Sequence, residues 1–200
     1  MQVMLYLASQ SPRRHLLLRR LRRAFRVVRS TSRERFPPRA MPSAAVMRNA
    51  LQKASTARLP RGATGLVIGA DTMLYFHGRL IGKPTTMRQA AQQLLALGGC
   101  SHWVYTGLCV REITTGRTRL SYETTKVTFK RLTPAIVKRL LNRMSPLDKA
   151  GGYAIQEDRG ELIARIEGSK SNVIGLPLER LRRELAAFEV LRQEKSLPSL

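Results

Sequence analysis

Residues 65–76 read GLVIGADTMLYF, an apolar run that begins with glycine and contains a single carboxylate, Asp71. A run this long and almost continuously apolar is typical of a strand that is covered on both faces. A carboxylate in such a strand is costly unless it is hydrogen-bonded, paired with a cation or bound to a metal ion. A turn-forming aspartate at the strand end is the alternative, but the apolar residues continue to Phe76. The pattern therefore favours a functional role for Asp71.

Upstream of this run, the chain predicts a shorter strand followed directly by a helix. The apolar residues Val3 to Leu7 stop at a small polar turn, as a strand leaving a sheet does. Ser11 is predicted to cap the helix with its side chain, and Pro12 suits the first helical position because it lacks an N–H. The apolar residues expected on one face of this helix are Leu17, Leu18, Leu21 and Phe25.

The first turn of that helix carries two adjacent arginines, Arg13 and Arg14. A helix N-terminus already has partial positive charge and unpaired N–H groups, so two further cations are unfavourable there in isolation. They become favourable if a phosphate group is bound. The alternative is that both arginines are solvated charges in an arginine-rich protein, and the local sequence leaves the two interpretations equal.

The remaining segments predict further helices and strands. Helices and strands alternate in the first part of the chain, and the later part consists mainly of strands. Helices are expected over 44–57, with Lys53 near the edge of its inner face, over 87–97, from Thr133 and over 177–193. Residues 101–130 predict strands joined by a hairpin at Thr115-Gly116, and a strand pair is expected after DKAGGYAIQ (148–156). Residues 29–43 predict a surface loop. These elements indicate an α/β or α+β fold with a mixed sheet, in a single domain of residues 1–200.

Composition restricts the partners. The 36 lysines and arginines against 13 acidic residues give a formal net charge of +23 and a pI near 11.6. Such a charge favours polyanionic partners, namely nucleotides, nucleic acid or an anionic membrane surface, without choosing among them. No apolar run approaches the roughly 20 residues of a membrane span, so the sequence predicts a soluble protein, and we expect no membrane among its partners. The basic N-terminal segment resembles a transit peptide, but its strand and capped helix predict that it belongs to the fold.

Several other polar residues have two interpretations each. Lys83, in GKP, lacks the spacing of a phosphate-binding P-loop, and it is either a single phosphate contact or a solvated lysine. In DKAGGYAIQ, a buried Gln156 at a strand end could read the edge of a base, whereas Asp148 and Lys149 could simply form a surface pair. The two cysteines are expected to be small buried residues in a reducing compartment, and the three histidines to be structural.

Seven short segments, taken together, are far more specific than any of them alone. LASQSPRR, KAS, VIGADT, GKP, HWVYTG, DKAGGYAIQ and IEGSKSNVIGLPL occur in the order and at the intervals of the Maf family of nucleoside triphosphate pyrophosphatases, which the chain resembles over nearly its whole length. The resemblance implies an elongated two-lobed α/β fold of the Maf/ITPase-like type, with a long twisted mixed sheet and a central cleft. It also implies cytoplasmic hydrolysis between the α- and β-phosphates of a nucleotide, with Mg²⁺ or Mn²⁺. Dimers are common in the family, so a homodimer is a further expectation.

The resemblance also implies roles for individual residues. Asp71 would be the catalytic proton acceptor, Lys83 a second catalytic residue, and Glu34 a metal ligand together with Asp71. Substrate binding and choice would fall to Ser9, Arg13, Arg14, Lys53, Thr72, Lys149 and Gln156. A threonine directly after the catalytic aspartate marks the subgroup that prefers dTTP and UTP, so Thr72 implies pyrimidine triphosphates as substrates.

The chain departs from the family pattern mainly by having fewer carboxylates. Arg33 stands where the family usually has an acidic residue, and a second glutamate is missing from FPPRAMPSAA. Fewer carboxylates would weaken metal binding. An alternative function is therefore a catalytically weakened Maf fold that binds nucleic acid or another polyanion through its basic surface.

Overall fold

The computed structural model describes residues 3–33 and 41–196, which form a seven-stranded mixed sheet with helices packed against it. This confirms the α/β class. The strands are β1 (Leu5–Leu7), β2 (Phe25–Val27), β3 (Leu66–Phe76), β4 (Arg79–Ile81), β5 (Ser101–Glu112), β6 (Thr118–Phe129) and β7 (Ile163–Glu167). The helices are α1 (Pro12–Arg19), α2 (Pro42–Ser55), α3 (Met87–Leu97), α4 (Pro134–Arg143), α5 (Lys170–Ile174) and α6 (Leu178–Ser196), with 3₁₀ turns at Pro146–Asp148 and Ala150–Gly152.

Strand β3 organises the sheet and leaves a gap at one of its edges. The strand order is β2-β1-β3-β5-β6-β7, and β5 pairs antiparallel with β3 along nearly its whole length. On the other edge of β3, β1 pairs in parallel with residues 66–68, and β4 pairs antiparallel with residues 74–76. Within the described part of the chain, residues 69–73 therefore have no strand neighbour on that edge. Asp71 and Thr72 lie in this gap.

Two glycines allow helix α2 to lie directly on the sheet. A Cβ atom at Gly69 of β3 would stand 2.2 Å from the backbone oxygen of Ala50, and one at Gly107 of β5 would stand 2.3 Å from the carbonyl group of Val46. Both distances are far shorter than real contacts, so the helix can approach this closely only over glycine. The close packing brings the later turns of α2 over Asp71.

The predicted first helix is too long. Helix α1 ends at Arg19, the chain turns at Arg22, which has a φ of 53°, and Phe25 begins β2. Leu21 and Phe25 still pack against the same core cluster as Leu17 and Leu18. Their helical spacing in the sequence arises because all four side chains face one core, although they do not belong to one continuous helix.

The capping role predicted for Ser11 is also wrong. Ser11 is the N-cap residue of α1, but its side chain makes no capping hydrogen bond. Its backbone N–H instead donates to the hydroxyl of Ser9 at 3.3 Å. Pro12 does occupy the first turn, as predicted.

The strand pair expected after residue 156 is wrong as well. The segment DKAGGYAIQ forms two short 3₁₀ turns, and only β7 follows it. The carboxylate of Asp158 accepts from the backbone N–H groups of Glu161, Leu162 and Ile163, which makes a turn of the residues where the first of the two strands was expected. Gln156 is an exposed turn residue and is not buried at a strand end.

Most other elements were predicted correctly. Strand β3, helix α3, the hairpin between β5 and β6 and the start of α4 are confirmed. The last helix begins at Leu178, and Leu178, Leu181, Leu185 and Phe188 are buried in one cluster as expected. The predicted loop over 29–43 partly lies outside the described residues, and its end is helical because α2 begins at Pro42.

The two cysteines differ in burial. Cys109 is buried, as expected, whereas Cys100 is only partly buried. No helix in the described ranges is both long and apolar enough to cross a membrane.

Candidate active site

A cleft opens at the gap in the sheet edge, between α1 and the turns at 146–156. Its inner part has a volume of about 90 Å³ and its outer part about 410 Å³, and both parts are lined by Arg13, Arg14, Lys83 and Asp148. The cleft brings together every predicted site residue that the structure describes. Asp71, Thr72, Lys149 and Gln156 line the inner part, and Ser9 and Lys53 line the outer part. The predicted metal ligand Glu34 lies outside the described residues.

Asp71 is buried at the floor of the cleft and held by two side chains of α2. The Nζ atom of Lys53 lies 2.6 Å from Oδ1 of Asp71, and the Nδ2 atom of Asn49 donates to Oδ2 at 2.8 Å. Lys53 also donates to the backbone carbonyl of Ala70 at 3.3 Å. The aspartate is only 2% exposed, so a cation and an amide are needed to offset the cost of burying its charge. Asn49 was missed by sequence reasoning, although it precedes Lys53 by one helical turn.

Thr72, the next residue, faces the opposite side of the sheet, since neighbouring residues of a strand alternate. There Arg14 ties three segments together. Its Nη2 donates to Oγ1 of Thr72 at 3.1 Å, its Nε to the carbonyl of Gly175 at 2.7 Å, and its Nη1 to Oγ of Ser9 at 3.3 Å. Arg14 is therefore a structural part of the cleft wall and not a solvated surface charge.

Arg13 crosses the mouth of the cleft. Its guanidinium donates to a carboxylate oxygen of Asp148 at 2.8 Å and to the backbone oxygen of the same residue at 3.1 Å. Lys149 is 4% exposed, and its Nζ lies 2.9 Å from Asp148 and 3.2 Å from Glu157. Asp148 and Lys149 do form an ion pair, but only Asp148 is exposed, whereas Lys149 is buried and is not a surface residue. An anion bound in the cleft would compete with Asp148 for Arg13.

The pKa of Asp148 reflects these two cations. Burial acts to raise it, but the hydrogen bonds and charges of Lys149 and Arg13 outweigh burial, so the pKa lies below its usual value. Asp148 therefore stays ionised at neutral pH and links Arg13 of α1 to the 146–156 turns across the cleft mouth.

A buried histidine and tyrosine support the cleft from behind. The Nε2 atom of His102, on β5, lies 2.7 Å from the hydroxyl of Tyr153, and both rings contact Phe129 edge to face. Tyr153 lines the cleft, so His102 helps to hold the 148–156 segment in place. The structural role predicted for this histidine is confirmed. His15 has a comparable role, since its Nε2 lies 2.7 Å from the backbone oxygen of Ser9.

Burial lowers the pKa of His102 from 6.5 to about 4, which predicts a loss of stability in mild acid. Between these values the unfolded chain binds a proton that the folded protein does not, so this contribution is complete above pH 6.5 and is lost as the pH falls toward 4. We expect the free energy of unfolding to fall by about 2 kcal/mol from pH 7 to pH 5 through this residue. Urea unfolding of the wild type and His102→Gln at both pH values measures it. His77→Asn, at an exposed turn, is the matched control, and an equal pH dependence in His102→Gln would contradict the assignment.

One carboxylate in the cleft is suited to a divalent cation. Among the residues that the structure describes, no group of three or more His, Cys, Asp or Glu side chains could hold a metal ion by itself. Mg²⁺ at phosphate-processing sites commonly uses only one or two carboxylates, with substrate phosphates as further ligands. Each oxygen of Asp71 accepts one hydrogen bond and keeps a lone pair. Asp71 therefore fits a cation that arrives with the nucleotide.

Comparison with known proteins agrees with this geometry. The family model described as Maf-like protein matches residues 4–188. A relative from Gloeobacter violaceus, named dTTP/UTP pyrophosphatase, is 41% identical over 94% of this chain and 98% of its own length. Relatives with the same name from Moorella thermoacetica and Bacillus cereus are 42% and 40% identical, over 93% and 92% of this chain and 95% of their own lengths. These matches extend over nearly the whole length of this chain and of each relative, so they include the sheet gap and the cleft. The chain is therefore a member of the Maf family.

Proposed function

We propose that this protein is a nucleoside triphosphate pyrophosphatase that hydrolyses dTTP and UTP to the monophosphate and pyrophosphate. The observation that carries the proposal is Asp71, a buried carboxylate held by Lys53 and Asn49 in the sheet gap, with cationic side chains around the cleft. The names of the relatives support both the reaction and the substrates.

In this reaction Asp71 accepts a proton from the attacking water. Its carboxylate is fixed by two hydrogen bonds and retains lone pairs for a water molecule in the cleft. Lys83 and Arg13 line both parts of the cleft, where they would balance the negative charge that develops on the departing pyrophosphate. Lys149 and Lys53 add positive charge to the two ends of the same cleft. We assign substrate binding to Ser9 and Arg14 through the wall that they form together.

A divalent cation, Mg²⁺ or Mn²⁺, would be held by Asp71 together with the phosphates of the nucleotide, and by Glu34 if that residue is a ligand. When bound, such a cation polarises a phosphoryl oxygen and offsets phosphate charge. We assign choice of the base to Thr72 and Gln156, which line the inner cleft, with Arg13 at its mouth.

A substrate panel tests the proposal. Pyrophosphate release should be measured from dTTP, UTP, CTP, 7-methyl-GTP and the common purine triphosphates, with Mg²⁺, with Mn²⁺ and with EDTA. We expect selective hydrolysis of dTTP and UTP that EDTA abolishes. Preference for a purine triphosphate would contradict the role of Thr72, and no hydrolysis of any triphosphate by folded protein would overturn the proposed activity.

The net charge of +23 favours a second function, the binding of nucleic acid or another polyanion. Such binding would weaken steeply with salt, because each neutralised phosphate releases counterions. Persistent binding near physiological salt, together with an inactive substrate panel, would favour this function over catalysis.

We further propose that the chain works as a single domain in the cytoplasm, where nucleoside triphosphates are made and used. The continuous sheet that carries both sides of the cleft supports the single domain. Sedimentation analysis would decide between a monomer and the homodimer expected from the family.

A further inference from the structure

A chain of hydrogen bonds runs from the cleft into the core. Arg14 donates from Nη2 to Oγ1 of Thr72 at 3.1 Å, and that hydroxyl lies 3.0 Å from the hydroxyl of Thr106 on β5. Thr106 in turn donates to the backbone carbonyl of Asn172, in α5, at 3.0 Å. Thr106 is completely buried, whereas Thr72 lines the cleft. Among the residues that the structure describes, Thr106 is therefore connected to the cleft by its hydrogen bond with Thr72.

The direction of every bond in this chain follows from the chemistry of its two ends. A guanidinium has only donors, so Thr72 must accept from Arg14. A backbone carbonyl has only acceptors, so the single hydroxyl hydrogen of Thr106 is used on Asn172. The contact between the two hydroxyls then requires Thr72 to donate its hydrogen to Thr106. Bonds aligned in this way strengthen one another.

We propose that Thr106 is a specificity-determining positioning residue, because it uses the hydrogen of Thr72 and leaves Thr72 only an acceptor lone pair to offer the base. This inference rests on the proposed function and deepens it. Uracil and thymine carry one ring N–H in a nucleotide, at N3, and cytosine has a bare lone pair at that position. A Thr72 that can only accept therefore matches N3–H of UTP and dTTP, and it repels N3 of CTP.

The variant Thr106→Val tests this step, because it removes the hydroxyl at nearly constant volume. The hydrogen of Thr72 then becomes available to the cleft, where it can donate to N3 of cytosine. We expect the ratio of kcat/KM for UTP to that for CTP to fall about tenfold, equivalent to about 1.4 kcal/mol. A change in folding or in general activity would move both substrates together and leave the ratio unchanged.

Two further variants separate specificity from structure. Thr106→Ser keeps the hydroxyl and should keep the wild-type ratio. Thr125→Val removes another fully buried hydroxyl, which accepts from the Asn172 amide at 2.9 Å and has no contact with Thr72, so it should also keep the ratio. An unchanged ratio in Thr106→Val, or an equal fall in Thr125→Val, would overturn the proposal.

A measurement on the wild-type enzyme keeps the test decisive if Thr106→Val fails to fold. UTP methylated at N3 lacks the donor, and we expect its kcat/KM to be at least about tenfold below that of UTP. Equal hydrolysis of the two would overturn the inference while leaving the pyrophosphatase activity established. If the wild type hydrolyses neither UTP nor dTTP, the proposed function itself fails, which is a distinguishable outcome.

Discussion

Replacing Asp71 by asparagine should lower kcat about 10²- to 10⁴-fold, the usual effect of removing a general base. Asparagine has nearly the same shape, and its side-chain oxygen can still accept a hydrogen bond from Lys53 or Asn49. It cannot take a proton from water, and its neutral amide is a weaker metal ligand than a carboxylate. The carboxylate is buried to 98% and held on both oxygens. Asp148, which also lines the cleft, is paired with Arg13 and Lys149 and lacks this fixed, buried setting.

The measurement is pyrophosphate release from UTP at saturating substrate and metal concentrations, with circular dichroism to confirm folding. Glu112→Gln is the matched control. Glu112 is also a buried carboxylate that is paired with a cation, Arg117, at 3.0 Å, but it lies at the β5–β6 hairpin and does not line the cleft. Its replacement should leave kcat within about twofold, a change of about 0.4 kcal/mol in the barrier, because Glu112 does not line the cleft. Turnover by Asp71→Asn at the wild-type rate would remove Asp71 from its catalytic role.

Strand β3 and its carboxylate could be predicted because their signal is local. An apolar run of this length has few alternatives to a buried strand, and burial of a single carboxylate demands partners wherever the rest of the chain lies. The same holds for α3 and α4, whose ends are marked by Gly98-Gly99 and by the Thr133 side chain that caps Ile136. Such features depend only on neighbours in the sequence.

The partners of Asp71 and Arg13 could not be predicted in the same way. Asn49 and Asp148 lie 22 and 135 residues from the groups that they contact, and only the assembled sheet brings them together. The three-residue strand β4 is too short for a periodic pattern, yet it forms one border of the sheet gap. The resemblance to Maf proteins supplied most of the cleft residues, but it did not indicate which of them are paired with each other.

The gap in the sheet explains why one strand can serve two different tasks. Asp71 and Thr72 are adjacent, so alternation places the carboxylate under α2 and the hydroxyl on the side of α1 and α5. In a sheet with paired edges, two such side chains would be separated by the backbone of the neighbouring strand. Because residues 69–73 have an open edge, one nucleotide lying in the cleft could reach both. The proposed chemistry and the proposed base recognition thus depend on the same missing strand contact.

Replacing Lys53 by methionine should lower the free energy of unfolding by about 3–5 kcal/mol, the usual cost of leaving one partner of a buried ion pair without the other. The Nζ of Lys53 lies 2.6 Å from Asp71, and the two side chains are only 12% and 3% exposed. Methionine keeps the unbranched stem of the side chain as far as Cε and loses the ammonium group, so most of the packing is retained while the ion pair and the hydrogen bond to Ala70 are lost. Urea unfolding at pH 7 measures the loss.

A double-mutant cycle decides whether this loss comes from the buried charge. In an Asp71→Asn background no carboxylate is left uncompensated, so Lys53→Met should cost less than about 1.5 kcal/mol there, the scale of a single neutral hydrogen bond. Lys126→Met is the matched control, because Lys126 pairs with Glu167 at 3.6 Å on a surface where both side chains are more than a third exposed. It should cost about 1 kcal/mol or less. An equal cost of Lys53→Met in both backgrounds would show that Lys53 stabilises the fold by packing, and Asp71 would then need another source of compensation for its burial beside the amide of Asn49.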